Sequence, residues 1–474
     1  MGTLLRNAFF LVVALAIYAY QPTKQRLVTL GLTRGSVIEN VHGFSKELRV
    51  IEDTRHCEDL HLWKVDDGSA LLITACEGRG SPRFKWFPPM TFFDGPEELG
   101  SGDMTGSIHV LDPETFTSTR LTLEDFKGPF VTHGIDLVTD PQDENSVYIH
   151  AINHLPNPDY DPDHNSDDNI KSKEREKARS QIEVFHHTLN SNKARHIRSI
   201  RHPLIRTPND IYSIAPREFL VTNDHKHREH GLRRTVEDVW TGAWGRVTET
   251  VHVRVDLDDG IESRDAAEGV RVGVVLKGMH NNNGLGHGDP DKEGEVLVCD
   301  AAGGVLHLAR LSSSQPSSRT SSSSTPSMTK KLELVESIQM DSTIDNPSYF
   351  HDPYPETRCD ASGYVLAGLL RGADYGKFFR DEGHVDPSVV WIVSRSENKD
   401  KKEKEKEAGS EGGDRWTRRI VFQDDGETLS SASTAVVLPI DPATNGGKKE
   451  AWIWVTGPSS KAVVATKIDL AALC

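Results

Sequence analysis

The 474-residue sequence predicts an all-β fold, on three observations. Short apolar and β-branched runs recur along it, at Ala70 to Ala75, Ser107 to Leu111, Ser146 to Ile152, Ile182 to His186, Glu295 to Cys299, Val305 to Leu308, Gly363 to Leu369, Val389 to Ser394 and Trp452 to Val455. Gly, Asp, Asn and Pro, the residues that turns demand, separate these runs. Few stretches carry the 3.6-residue period of an amphipathic helix. Many short strands with turn signals between them make a sandwich, a barrel or a propeller. Gly106 to Thr115 reads as an inner strand followed by a tight turn, a blade-like unit, although repeat similarity is weak.

Ahead of the strands, Arg6 precedes an apolar run from Ala8 to Tyr20. The run is too short for a comfortable transmembrane span and fits a signal peptide or signal anchor over residues 1–20. No small-x-small cleavage site follows it, so membrane association through this segment is an expectation. The sequence is no myristoylation signal, because position 6 is Arg. Residues 21–474 then form the strand-rich domain. Three polar segments interrupt it, near 158–180, 312–331 and 397–415. Their charge and Ser/Thr content cannot bury enough apolar surface to order them, so they read as disordered surface insertions.

Acidic residues number 71 against 55 basic ones, a formal charge of -16. That balance argues against a nucleic-acid-binding protein, which needs a basic footprint, and is compatible with cation binding, although an acidic surface more often serves solubility. The five cysteines, Cys57, Cys76, Cys299, Cys359 and Cys474, make no C-x-x-C pair, which argues against structural zinc. Their wide spacing allows one or two long-range bridges with one thiol left over. No N-x-Ser/Thr glycosylation acceptor with a permitted middle residue is present.

Six oxygen- and imidazole-bearing clusters stand out: Cys57-Glu58-Asp59-Leu60, Thr132-His133-Gly134-Ile135, Asn153-His154, Pro208-Asn209-Asp210-Ile211, Thr222-Asn223-Asp224-His225 and Ile344-Asp345-Asn346-Pro347. Carboxylates and carboxamides are the hard donors that calcium takes, six to eight at a time. Taken singly, each Asn-Asp pair reads as a turn ahead of a ligand. Asp289 to Gly294 resembles the start of an EF-hand loop, but Pro290 and the flanking strands make it a connecting turn.

Arg198 to Pro203, continuing through Pro208-Asn209-Asp210-Ile211, resembles the corresponding stretch of the paraoxonase/arylesterase family. So does Thr222-Asn223-Asp224-His225, followed by Ala243-Trp244; the other clusters fall in the family's order. The resemblance implies a six-bladed β-propeller with a central calcium-containing tunnel and two ions. It implies a catalytic calcium held by Glu58, Asn209, Asn223, Asp345 and Asn346. A structural calcium would be held by Asp59, Asp210 and the backbone carbonyl of Ile135. Neighbours on an extended chain point oppositely, so each adjacent pair can serve two ions. The implied activity is hydrolysis of a small ester or lactone, with calcium polarising the carbonyl and His133, assisted by His154, deprotonating water.

The sequence also departs from the family. Its disulfide joins an N-terminal cysteine to a C-terminal one; Cys474 fits the second role, but only Cys57 or Cys76 could fill the first. The family's free cysteine has no counterpart, with Leu369 near its place. A gluconolactonase-type sugar lactonase and a non-catalytic, membrane-tethered propeller remain the alternatives.

Overall fold

The computed structural model describes residues 2–35, 39–42, 47–65, 68–78, 80, 82–99, 105–161, 176–240, 242, 244–257, 261–313, 330–378, 381, 383–396 and 415–473. Most of each polar insertion (162–175, 314–329 and 397–414), Ala243 and Cys474 lie outside these residues.

Six sheets, each built on an antiparallel meander of neighbouring strands, are arranged as the blades of a β-propeller; in the second, Thr122–Glu124 adds an outermost strand parallel to Lys193–Ile200. The innermost strands are Cys57–Lys64, Thr132–Asp140, Pro208–Ala215, Asn282–His287, Pro347–Phe350 and Thr434–Pro439. Each packs against the next, and the sixth returns against the first, enclosing a tunnel. Strands such as Gly363–Leu369 and Ser388–Arg395 lie in the middle of a blade and are buried along nearly their whole length. That burial explains their unbroken apolar runs: a blade covered by a blade on each side has no solvent face. Six apolar clusters of the core lie accordingly one at each junction between neighbouring blades, and a seventh gathers around Trp86, Phe87 and Phe92. One of them joins Leu60, Leu72 and Leu111 of the first blade to Val436, Trp454 and Ala465 of the sixth. At roughly 1.5–3 kcal/mol for each large side chain buried, that junction alone is worth more than a typical net stability.

The ring is closed by backbone hydrogen bonds between distant segments. Leu48–Ile51 pairs with Val463–Asp469 as the outermost strand of the sixth blade. Val41–His42 does the same for the fifth, against Trp416–Asp424.

Residues Gly2–Thr29 form one helix that runs through Pro22. Its last turn docks on the propeller: Thr29 is buried and donates to the Met340 carbonyl at 3.1 Å, and Arg26 reaches the Ala302 carbonyl. Phe9, Phe10, Ile17 and Tyr18 on the earlier turns are exposed. Among the described residues, no helix is long and apolar enough to cross a membrane.

Two expectations from the sequence are corrected. Ser107–Asp112 is the third strand of its blade rather than the inner one. An apolar, alternating run reads the same in either place, and only neighbours distinguish them. Cys57 and Cys76 sit opposite each other on paired strands and are joined by a disulfide, so neither is available to bridge elsewhere. Cys359 is also disulfide-bonded. Cys299, buried on the second strand of the fourth blade, is the free cysteine among the described residues.

Candidate metal centre and active site

Because each blade is an antiparallel meander, all six inner strands run the same way and start at one end of the tunnel. Four of them carry a register shift within their first residues, between Cys57 and Asp59, Thr132 and Ile135, Pro208 and Ile211, and Asn282 and Leu285. A bulge of this kind releases residues from the ladder and re-aims their side chains. The released residues are Glu58, His133-Gly134, Asn209-Asp210 and Asn283-Gly284.

The buried side-chain oxygens without a hydrogen-bond partner at this end include these five: Glu58 Oε2, Asn209 Oδ1, Asn283 Oδ1, Asp345 Oδ1 and Asn346 Oδ1. Glu58, Asn209, Asn283 and Asp345 line the floor of one cavity of 640 Å³, together with His133. Asn346 donates its amide to Glu58 Oε1 at 3.0 Å and to the Thr434 hydroxyl at 3.1 Å, which fixes its orientation and leaves its oxygen free. Two glycines permit the close approach of the strands. A Cβ on Gly134 would meet the Asn209 carbonyl at 2.5 Å, and one on Gly284 the Asp345 carbonyl at 2.5 Å.

An unsatisfied polar atom in a protein interior costs on the order of 1–3 kcal/mol, so five together call for a ligand. Two carboxylates and three carboxamides make an all-oxygen set of mixed charge, which fits a hard divalent cation of the calcium type. Among the described residues, no group of three or more His, Cys, Asp or Glu side chains is set to hold a metal, so a cation here would depend on the carboxamides as well. Burial, with Asp345 and Asp59 adding repulsion, pushes the Glu58 carboxyl well above its usual range. Burial and the charges of Asp59 and Asp224 push Asp345 up to about 7. A cation at the five oxygens would reverse both shifts.

Asn223 stands outside this group. Its Oδ1 accepts the backbone N–H groups of Arg206 and Thr207 at 2.8 and 3.0 Å, and its amide donates to the Leu204 carbonyl at 2.9 Å. It braces the turn before the third blade and offers the tunnel no free oxygen. Asn283 offers the one that Asn223 does not.

The second expected donor set lies deeper in the tunnel and differs in kind. Asp59 Oδ1 accepts from Leu60 N at 2.8 Å and the Thr434 hydroxyl at 3.0 Å; Oδ2 accepts from Ile135 N at 3.0 Å and lies 3.0 Å from His61 Nε2. Asp210 accepts from Ile211 N at 2.7 Å and Leu285 N at 2.6 Å, one on each oxygen. Burial, with Asp59 and Glu58 adding repulsion, pushes its carboxyl well up. No oxygen of Asp59 or Asp210 is among the unpartnered buried atoms. By that measure this set does not fit a further ion.

His133 and His154 meet: Nδ1 of His133 lies 3.1 Å from Nε2 of His154, whose Nδ1 lies 2.8 Å from the Ser180 hydroxyl. Nε2 of His133 is 4.0 Å from Glu58 Oε1. Burial, then the neighbouring His154 and Arg83, holds His133 well below the usual imidazole range. Burial takes His154 down to about 3. Both rings are therefore neutral near pH 7.

Over them lies the connection that follows the second strand of the first blade. Phe87 stands edge-on to both imidazoles, at 4.9 and 5.5 Å, and Trp86 Nε1 donates to the His154 carbonyl at 2.8 Å. Arg83, fully buried, donates to Glu77 Oε1 at 3.0 Å and to the Thr132 carbonyl at 2.8 Å, with its guanidinium over the Phe87 ring at 4.8 Å. Sequence reasoning missed these residues and Asn283. The Asn281-Asn282-Asn283-Gly284 run opening a strand was a usable signal for Asn283. Nothing short-range marks Arg83 or Phe87. Asp289 to Gly294 lies in the hairpin turn between Asn282–His287 and Glu295–Asp300, as its proline implied.

The strand ends that flank the three insertions lie at different mouths of the tunnel. Residues 162–175 connect the second and third strands of the second blade, whose ends lie beside the site. Residues 314–329 and 397–414 connect third and fourth strands, whose ends lie at the other mouth of the tunnel.

The arylesterase family profile matches residues 162–277. The chain is 25% identical to a serum paraoxonase/arylesterase 2 of Canis lupus familiaris over 272 residues, 56% of this chain and 58% of that one. It is 27% identical to the Bos taurus protein of the same name over 270 residues, 56% of this chain and 57% of that one. It is 32% identical to a serum paraoxonase/arylesterase 1 of Mus musculus over 152 residues, 32% of this chain and 35% of that one. The chain thus spans less than two thirds of the length of the relatives it matches.

Proposed function

Because the chain belongs to the paraoxonase/arylesterase family, at low identity to these relatives, we propose that it is a calcium-dependent hydrolase of carboxylic esters and lactones. The observation that carries this reading is the convergence of four unpartnered oxygens and His133 on one cavity floor, with Asn346 bonded to Glu58 and His154 in contact with His133.

Glu58, Asn209, Asn283, Asp345 and Asn346 would hold the ion. Bound there, calcium supplies Lewis-acid polarisation of the substrate carbonyl and stabilises the oxyanion that forms. The protein's own groups do the proton work. A neutral His133 accepts a proton from the attacking water, and the 3.1 Å contact lets charge be shared with His154. Ser180 orients His154 from behind. The same proton is then available to the departing alkoxide. Phe87 and Trp86 shield the pair from bulk water, which keeps both rings neutral and basic positions fixed.

The Cys57–Cys76 disulfide supports passage through an oxidising compartment, as does the word serum in the relatives' names. The secretory route is accordingly the proposed localisation.

The test is hydrolysis of phenyl acetate and simple γ- and δ-lactones by the purified full chain, with and without chelator. Turnover that disappears with calcium and returns on its addition is expected. No turnover by calcium-loaded, folded protein, or undiminished turnover after metal removal verified by elemental analysis, overturns the reading.

A further inference from the structure

We propose that His280, oriented by Asp300, is a substrate-binding residue of the cavity, accepting a hydrogen bond from a hydroxyl that the ester or lactone carries away from its reacting carbonyl. The inference rests on the hydrolase reading above and names the substrate class that this cavity favours.

His280 follows Val270–Met279, the outermost strand of the third blade, in the connection to Asn282–His287, the inner strand of the fourth. Asp300 closes Glu295–Asp300 and pairs with Asn282 at the same end of that blade, which brings carboxylate and imidazole together. Both residues are buried. Nδ1 of His280 lies 3.0 Å from Asp300 Oδ1, which also accepts the Gly303 N–H at 2.8 Å. A carboxylate on Nδ1 sets the tautomer of the neutral ring: Nδ1 carries the proton and Nε2 the lone pair.

That lone pair has no donor among the described residues. Nε2 of His280 is buried without a hydrogen-bond partner, and His280 lines the cavity whose floor holds Glu58, Asn209, Asn283 and Asp345. A buried acceptor is costly to leave unmatched, so the ligand that belongs here brings a donor. The surrounding charges require that donor to be neutral. Arg26 lines the same cavity and donates to the carbonyl of Ala302, so its charge opposes an ammonium. Ala302 is in turn tied to the histidine's own segment, its N–H donating to Asn281 Oδ1 at 3.1 Å, so guanidinium and imidazole share one wall. Asp300 behind the ring opposes a carboxylate, which has no proton to give in any case. A hydroxyl is a neutral donor, and its oxygen tolerates a guanidinium nearby. His133 stands on the second blade and His280 at the fourth, so the wall that reads the hydroxyl is separate from the group that takes the proton from water.

The experiment uses the calcium-loaded full chain and γ-lactones with side chains of increasing length, each ending in a methyl, a hydroxyl or a methyl ether. At one length or more, kcat/KM for the hydroxylated lactone is expected to exceed both others about 10–100-fold, the scale of a buried acceptor left unpaired by an analogue without the donor. His280→Phe, made together with Asp300→Asn so that no carboxylate is left buried without its partner, is expected to bring that ratio close to one. Equal kcat/KM for the three end groups at every length overturns the proposal and leaves the hydrolase reading standing. So does a methyl ether as good as the hydroxyl, which would make Nε2 a donor, or a preference that the folded variant keeps. If the variant does not fold, the wild-type ranking of the three end groups decides. If the wild type hydrolyses none of these lactones, calorimetric binding of the corresponding lactams decides. Tighter binding of the hydroxylated lactam, lost in the variant, supports the proposal while the hydrolase reading fails; equal binding, or none, overturns the proposal as well.

Discussion

Nε2 of His154 stands 3.1 Å from Nδ1 of His133, and only the second of these rings lines the cavity. The two positions are 21 residues apart in sequence, His133 on the inner strand of the second blade and His154 directly after the next strand. The arrangement separates a residue that meets substrate water from one that supports it. Replacing His133 by Gln should lower kcat by about 10²–10⁴, the usual scale of a lost general base. His154→Gln should cost less, and should shift the pH profile of kcat more than KM. Equal losses in both variants, with unchanged pH profiles, would count against the proton-relay assignment.

Asn283 and Asn223 give a second separation. Asn283→Ala removes a free oxygen and should reduce calcium affinity and turnover with little effect on the thermal midpoint. Asn223→Ala orphans two backbone N–H groups and a carbonyl, each worth roughly 1–3 kcal/mol when left unsatisfied in the interior. Its main effect should be on stability, with activity per folded molecule retained. Calcium titrations and thermal melts on the two variants decide which residue is the donor.

Calcium should also stabilise the fold, since a ligand bound by the native state alone does so. At a hundredfold excess over its dissociation constant the gain is about 2.7 kcal/mol. Chelation should therefore lower the melting midpoint by several degrees. A melting curve indifferent to calcium would show that the five oxygens bind no ion.

Acid should destabilise the protein through histidines buried in neutral form. His150 lies between the Ser213 hydroxyl at 2.8 Å and the Pro216 carbonyl at 3.2 Å, and burial takes it down to about 4. His109, between the hydroxyls of Ser107 and Ser118, is likewise brought by burial to about 4. In the unfolded chain such groups titrate near ~6.5. Between these values the unfolded state binds more protons, so stability is complete above about pH 6.5 and falls as pH drops through 4. The loss for one such group is on the order of 3 kcal/mol. Urea unfolding across this range should display it, and His150→Gln should flatten the slope.

The insertions should differ in consequence by the end of the tunnel they join. Replacing 314–329 or 397–414 with short turns should leave kcat/KM for small esters unchanged, because the strands they connect meet away from the site. Shortening 162–175 should alter it. Ester kinetics on three deletion variants settle the point.

The mid-blade strands were readable from sequence because blades cover them on both sides. Val389 to Ser394 and Gly363 to Leu369 are therefore apolar throughout, and the period shows no solvent face. The inner strands were not readable as strands: Asn209-Asp210 and Asn283-Gly284 look like turn chemistry, because bulges at a tunnel wall use the same small polar residues. The sequence by itself determined the β-rich character and the turn positions, and its resemblance to a known family pointed to His133 and His154, which meet. Tertiary structure decided the rest. Whether an asparagine oxygen is free depends on which N–H groups lie within 3 Å of it, and that separated Asn283 from Asn223. It paired Cys57 with Cys76 across a strand ladder and placed His61 between Asp59 and Asp136. Residue type fixes what a side chain can donate or accept; only the fold brings the partner that uses it.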